Sequence, residues 1–483
     1  MSNFVVEFPL KTEKYQEDIL DKRFEIGRQM YNSLVTVTQK RYKEMITSRV
    51  YKDLMKSLSG DKRKDKEVWK QVSDLRSKYG LTEYSFQKDI KEMQHHYKKN
   101  IDSHTAQKIA SRLWKSYEKL FFGNGKKVYY KKYGELNSLE GKRNSTGIRY
   151  INEHIEWNGL KIPIVIDRKS YYEYEALQSE IAFCKIIRRY VRTRNKYYVQ
   201  IVFKGIPPLK VDIETGEIKH YIGKGNVGID IGTSTIAVAS ENDLKIYELA
   251  DRVENIEKAK RILLRKMDRS LRSMNPDNYN EDGTSKKGVN KWIKSNHYKR
   301  YQEELKELYR KQAAIRKYQH ECMANYVVSM GNKVYVEKMN FAGLQRRAKE
   351  TTKTKDGKYK SKKRYGKSIG NRAPSMLLTM INRKLGYFNE RLIEINTYKV
   401  KASQYSHEDD TYVKKSRSNR FTKVGNRLIQ RDLYSAYLIQ NVNEDLESIN
   451  KEKCKDRYSK FLEMYEKEVE RLSKRKNISC VGI

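Results

Sequence analysis

Cysteine is scarce in this 483-residue chain: there are four, Cys184, Cys322, Cys454 and Cys480, far apart and never spaced as a CxxC pair. That argues against a disulfide framework and a cysteine-based zinc ribbon. Long apolar runs are missing too. None approaches the roughly 18 residues a bilayer span needs, and the opening MSNFVVEFPLKTEKYQ has no signal-peptide core. A soluble protein of the prokaryotic cytoplasm, near the nucleoid and without a membrane partner, is expected. Acids are in short supply: 61 Asp and Glu stand against 102 Lys and Arg, a net charge of +41. The excess points to a polyanionic partner, and nucleic acid fits best. A duplex of roughly 20 base pairs presents about 40 phosphates, the same order as that excess. An AT-rich genome would explain part of the 37 tyrosines but not the charge imbalance. A chain of this length should hold about three domains.

The stretch that orders the rest is Asn226 to Ser240, NVGIDIGTSTIAVAS. Strand alternation puts Val227, Ile229 and Ile231 on one face and Gly228, Asp230 and Gly232 on the other. A carboxylate then stands mid-strand between two glycines, which would let a metal ion or a phosphate backbone come close. A turn at Gly232 to Ser234 and the run Ile236 to Ala239 predict a hairpin. Two other readings compete: the Asp can simply hold a backbone turn, and GIDIGTST resembles the first phosphate loop of the actin and heat-shock-chaperone ATPases. The latter implies a second loop of the DxGGGT kind, and the chain has none.

Residues 3 to 9 read as one strand. From Lys14 the periodicity turns helical through Ile19, Phe24, Ile26, Met30, Leu34 and Val37, with further helices near 65–78, 84–99 and 104–121. From Phe121 short strands follow, KKVYYKKY, IRYIN, HIEWNGLKIPIVI and a hairpin turning at RTRNK, which predict a small β-barrel closed by the first strand. Lys185, Arg188, Arg189 and Arg192 on its strands suit a nucleic-acid backbone, although a solvated strand face is the plainer account. Residues 254–273 and 298–328 predict a helical hairpin whose Ile256, Ile262, Leu263, Leu271, Leu305, Leu308, Ala314 and Tyr318 pack on a sheet. KVYVEKMNFAGL then reads as a strand ending in Glu337. The basic run 345–373 is expected to be mobile until nucleic acid orders it as a lid. A helix from Pro374, a strand LIEINT, a loop from KASQYSHEDD and the helix RLIQRDLYSAYLIQNV follow. On that last helix Asp432, Ser435 and Ala436 share a face at i, i+3 and i+4, so small residues let it lie close to the sheet.

Asp230 and Glu337 on two strands and Asp432 on a late helix make an all-carboxylate set. Such a set suits two Mg2+ ions roughly 3.5 to 4 Å apart, which activate a water and stabilise the leaving oxygen of an in-line displacement. Here the sequence resembles the TnpB family of transposon-encoded RNA-guided nucleases, relatives of the compact type V CRISPR effectors. VGIDIGTSTIAV is similar to the first RuvC motif, VYVEKMNFAGL to the second, and KASQ followed by RDLYSAYLI to the third. The motifs cover 227 to 443, and the domain order covers the whole chain.

The resemblance implies an α/β RuvC (ribonuclease-H-like) nuclease domain at 221–402 and 428–443. It also implies a β-barrel wedge domain at 1–13 and 122–220, with an inserted α-helical recognition lobe at 14–121. A basic target-loading loop at 403–427 and a charged helical tail at 444–483 complete the plan. It further implies Asp230, Glu337 and Asp432 as catalytic and Mg2+-holding residues, a guide RNA bound one protein to one RNA, and double-stranded target DNA cut by one site. Arg346, Arg347, Lys362, Lys363 and Arg364 are the basic residues nearest that site in sequence, and Arg431 directly precedes its last acid.

Two departures stand out. Many members carry two cysteine pairs forming a zinc ribbon where this chain has Ser406, Asp409 and the residues before Arg431, so zinc is not expected and the loop must be ordered otherwise. The family's small Asn after the last acid is replaced by Tyr434, expected to face outward. Rival readings are an array-guided CRISPR effector of the same mechanism, an RNA-guided repressor that has lost cleavage, and a strand-transferring transposase. The intact acid set argues against the repressor.

Overall fold

A computed structural model describes residues 3–474 except 62, 124, 193, 349, 353–356, 358–364, 415, 417 and 418. The chain divides into two compact units, 1–217 and 218–483.

In the first unit an apolar alternation in NFVVEFP gives the strand Asn3–Pro9, with Phe4, Val6 and Phe8 buried and the residues between them facing out. It lies at the edge of a four-stranded antiparallel sheet, followed in order by Arg194–Lys204, Ile181–Val191 and Ser138–Glu140. A separate three-stranded sheet spans Arg149–Ile151, His154–Trp157 and Leu160–Pro163. None of the described sheets closes on itself, so the expected barrel is replaced by two open sheets. The amino-terminal strand pairs on one side only, and a three-residue strand ends the other edge.

The helices Lys14–Thr47, Lys66–Lys78, Glu83–His96 and Ser103–Phe121 fall where the periodicity put them. They share one core with the sheets, in which Leu20, Phe24, Leu34 and Tyr117 meet Phe8, Ile186 and Ile201. Asp102 caps the last of these helices at Thr105 N (3.0 Å) and accepts from Trp157 Nε1 (2.8 Å), tying it to the smaller sheet.

KKVYYKKY forms no strand. Side chains of the first helix satisfy its backbone instead: Asn32 exchanges two 2.8 Å hydrogen bonds with Lys131, and Gln39 Nε2 donates to Val128 O at 2.9 Å. Arg188, expected to meet nucleic acid, is committed inside the unit. Its guanidinium pairs with Asp21 at 2.7 Å, lies over the Phe24 ring and is only 10% exposed. Lys185 is half-buried, and burial lowers its pKa. Arg189 pairs with Glu7.

The second unit is built on a five-stranded sheet in the order Leu244–Glu248, Thr235–Ala239, Asn226–Ile231, Lys333–Glu337, Ile393–Ile395. The first three are antiparallel, and the last two run parallel to the central strand. Val227, Ile229, Ile231, Val334 and Val336 pack on one face with residues of Asn296–Met330 and Pro374–Gly386. Ala237, Ala239, Ile246 and Ile395 pack on the other with Arg431–Gln440 and Lys451–Ser473. The tail beyond Val442 is thus part of this core, through Cys454, Phe461 and Leu472.

The hairpin Glu254–Met274 and Asn296–Met330 touches the sheet only near its end, at Ala324, Val327 and Val328. Ile262 and Tyr318, expected in the packing, are 54% and 64% exposed, and Ala314 is exposed as well. A 35-residue helix is about 50 Å long and overruns a five-residue strand.

Candidate active site

Three elements of the second unit bring the three acids to one face of the sheet. Asp230 sits on the central strand, paired across the hairpin with Ala237, whose methyl leaves room on that face. Lys333–Glu337 runs parallel beside it, with Val336 opposite Ile229; one residue further, Glu337 comes level with Asp230. Asp432 arrives from above, in the first turn of Arg431–Gln440.

That helix can lie this low because of one glycine. A Cβ on Gly228 would stand 2.1 Å from Ala436 O and 2.3 Å from Gln440 N. Glycine here serves the close approach of helix backbone to strand backbone, not the approach of a metal or phosphate that its position next to Asp230 suggested. Gly232 is unconstrained by comparison, with Thr235 Oγ1 3.5 Å from its hypothetical Cβ.

The helix start is fixed by Gln430, a residue that sequence reasoning passed over. Its Oε1 accepts from Leu433 N at 2.8 Å, and its own N donates to Tyr465 Oη at 3.0 Å. Signals for it were faint, since Gln is not among the favoured N-cap residues.

The electrostatics are those of crowded carboxylates. Burial raises the pKa of Asp230 well above its ordinary value, and the charges of Asp432 and Glu337 raise it further; Arg431 and the Ser435 hydroxyl oppose this. Ser435 Oγ is buried and makes no hydrogen bond of ordinary geometry, yet it lies near enough to favour the charged carboxylate. Burial pushes Glu337 up to about 7. Asp432 is 14% exposed, with Arg431 Nη2 at 3.3 Å and Arg420 Nη1 at 4.0 Å. Among the described residues no three His, Cys, Asp or Glu side chains are grouped closely enough to hold a metal ion by themselves. Mg2+ does not need such a group, because it keeps several waters and takes one or two carboxylates plus substrate phosphate. An oxygen-only set that is short of positive charge fits such an ion.

The described part of 403–427 is laid out in two pieces. Two small hairpins, Tyr405–Ser406 with Thr411–Tyr412 and Phe421–Val424 with Arg427–Gln430, fold beside the acid-bearing helix. In the loop of the first, His407 is 1% exposed and lies among the rings of Tyr434, Tyr437 and Tyr458. Its Nδ1 is 2.6 Å from Tyr434 Oη, and its backbone N donates to the same oxygen at 3.2 Å. Burial drives its pKa down to about 4, so the ring is neutral. Tyr434 therefore faces inward, contrary to expectation. The position that departs from the family's small Asn is the one that holds the loop.

Of the basic candidates, Arg431 is at the site, paired with Asp432. Arg346 and Arg347 are exposed beyond the short helix Phe341–Leu344. Lys362, Lys363 and Arg364 lie outside the described residues. Arg420 was missed; its 12-residue separation from Asp432 gave no periodic signal.

No family model and no curated protein sequence matches this chain.

Proposed function

We propose that the chain is an RNA-guided, Mg2+-dependent endonuclease of the TnpB kind that cleaves double-stranded target DNA with a single RuvC site of ribonuclease-H-like fold. The observation that carries this reading is the convergence of Asp230, Glu337 and Asp432, from two adjacent strands and one helix, on one face of the sheet, where Asp230 feels the charge of both other acids. The order of their elements in the chain and the net charge of +41 agree with it.

Asp230, which feels the charge of both other acids, would hold the metal together with Glu337 and Asp432. Bound Mg2+ would supply the activated water and the charge that stabilises the leaving oxygen. Arg431 and Arg420 pair with Asp432 and would also be placed to meet a phosphate brought to it. No dedicated protein base is needed. Among the described residues no helix is long and apolar enough to cross a membrane.

The test begins with the RNA that co-purifies when the protein is produced with its flanking DNA. A discrete RNA with a fixed 5′ region and a variable 3′ end is expected, and the loaded protein should cut DNA matching that variable end. Asp230→Ala should abolish cutting while RNA binding persists. Repeat-flanked RNAs would reassign the chain to an array-guided effector. Undiminished cleavage by Asp230→Ala would overturn the active-site assignment.

A further inference from the structure

The segment 122–133 of the first unit displays aromatic rings to solvent. Phe122 is 70% exposed, Tyr129 67%, Tyr130 49% and Tyr133 84%. Lys126, Lys127 and Lys132 stand exposed between them, and Val128 is the residue that anchors the run in the core. The backbone beneath is held, not tethered loosely. Arg28 Nη1, Asn32 and Gln39, spaced along one face of the first helix, bond the carbonyls of Lys131 and Val128, and Asn32 also takes the Lys131 N–H. Lys127 Nζ sits 5.9 Å from the Tyr129 ring centre. The nearby acids are engaged: Glu25 with Arg28, and Glu135 with Lys132 N.

Rings of this size are normally buried, and contiguous exposed ones mark an interaction site. Lysines alternating with them exclude a purely apolar partner. Rings on a fixed backbone beside cations are the arrangement that takes unpaired bases and the phosphates linking them.

We propose that 126–133 is a stacking platform for single-stranded nucleic acid, with bases on Tyr129, Tyr130 and Tyr133 and phosphates against Lys126, Lys127 and Lys132. Tyr129 and Tyr133 are at most about 14 Å apart along the chain, so the platform takes a short run of nucleotides. The proposal rests on this geometry and on the polyanion reading, and it does not require the three acids to be catalytic.

The experiment uses the full chain in EDTA, where no cleavage occurs, with a fluorescent oligo-dT or oligo-U and a DNA duplex of equal length as probes. Anisotropy titrations over a salt series give affinity and salt slope. Tyr129→Ala/Tyr133→Ala should weaken single-strand binding by about tenfold or more, because each stacked base is worth roughly five- to a hundredfold. Its duplex affinity and salt slope should stay as in the wild type, and Tyr129→Phe/Tyr133→Phe should bind as the wild type does. Lys126→Ala/Lys127→Ala should instead flatten the single-strand salt slope by about 1.4. Unchanged single-strand binding by the Tyr→Ala variant, or an equal loss for duplex, would overturn the platform. So would a wild-type self-association, seen in sedimentation, that the Tyr→Ala variant abolishes. Because these tyrosines are exposed, an unchanged melting curve is expected and separates lost binding from lost folding. The nuclease reading stands or falls separately, on Asp230→Ala.

Discussion

A methyl group added at Gly228 would lie 2.1 Å from the carbonyl oxygen of Ala436, so the strand that carries Asp230 and the helix that carries Asp432 touch backbone to backbone. Two acids separated by about 200 residues are set at a fixed spacing by the absence of one side chain. Gly228→Ala should therefore lift the helix off the sheet. A loss of guided cleavage and a destabilisation of about 3 kcal/mol or more is expected, at the upper end for overpacking because the neighbours are backbone atoms that cannot rotate away. Gly232→Ala is the control: its nearest neighbour is 3.5 Å away, and stability should change by less than about 1 kcal/mol. Chemical denaturation of both variants measures the contrast, and equal tolerance of the two would refute it.

Glu337 gives a pH dependence whose sign is set by its raised pKa. Between its ordinary value of 4.5 and about 7 the folded protein holds a proton that the unfolded chain has released. Folding stability of the metal-free protein should accordingly fall as pH rises across that window, and below pH 4.5 the penalty should vanish. Glu337→Gln removes the charge without removing the shape. It should stabilise the metal-free protein by up to about 3 kcal/mol at pH 8 and leave it unchanged at pH 4. Denaturation midpoints at the two pH values decide this, and a larger gain at pH 4 than at pH 8 would reverse the assignment.

How far the sequence could be read depends on the range of the interaction that decides each feature. Helices such as Ser103–Phe121 and strands such as Asn226–Ile231 were legible because their signal is local periodicity, and Asp230, Glu337 and Asp432 stood out because strand and helix phases set which face each side chain takes. Arg188 was misread because its partner, Asp21, is 167 residues away and turns an apparently solvated cation into a buried one. KKVYYKKY alternates like a strand, but Asn32 and Gln39 of the first helix reach its backbone first. Tyr434 gave no hint of its direction, since only a folded 403–427 segment brings His407 to its hydroxyl.

The His407–Tyr434 contact lies in the segment where the resembled TnpB family would carry its zinc ribbon, and it should carry the ordering of the loop. Tyr434→Phe keeps the ring and removes the hydroxyl that accepts from His407 N and bonds its Nδ1, at a cost of about 1 to 3 kcal/mol. His407→Ala also empties a cavity among Tyr434, Tyr437 and Tyr458 and should cost more. Hydrogen exchange is expected to speed up at residues 405–412 in both variants. Zinc chelators should leave the wild-type melting temperature where it was, and a drop on chelation would return the loop to metal control.

The edge of the sheet is closed by a pair of side chains one helical turn apart. Glu468, fully buried, accepts from Ile246 N at 2.8 Å, and Arg471 Nη2 donates to Ile246 O at 3.0 Å. Together they satisfy both free backbone groups in the middle of the outermost strand, Leu244–Glu248, which would otherwise offer a pairing edge to another chain. Arg471 and Lys245 both pair with Glu468, so Glu468→Ala removes an ion-pair partner from each and leaves the Ile246 amide without its acceptor, although Lys245 keeps Asp243. A loss of about 3 to 5 kcal/mol follows from removing one partner of a buried pair. Light scattering on warming should also rise earlier than in the wild type, because the bared edge can pair between molecules. If the variant unfolds at a lower temperature but stays clear, the helix contributes stability alone and the edge is protected by something else.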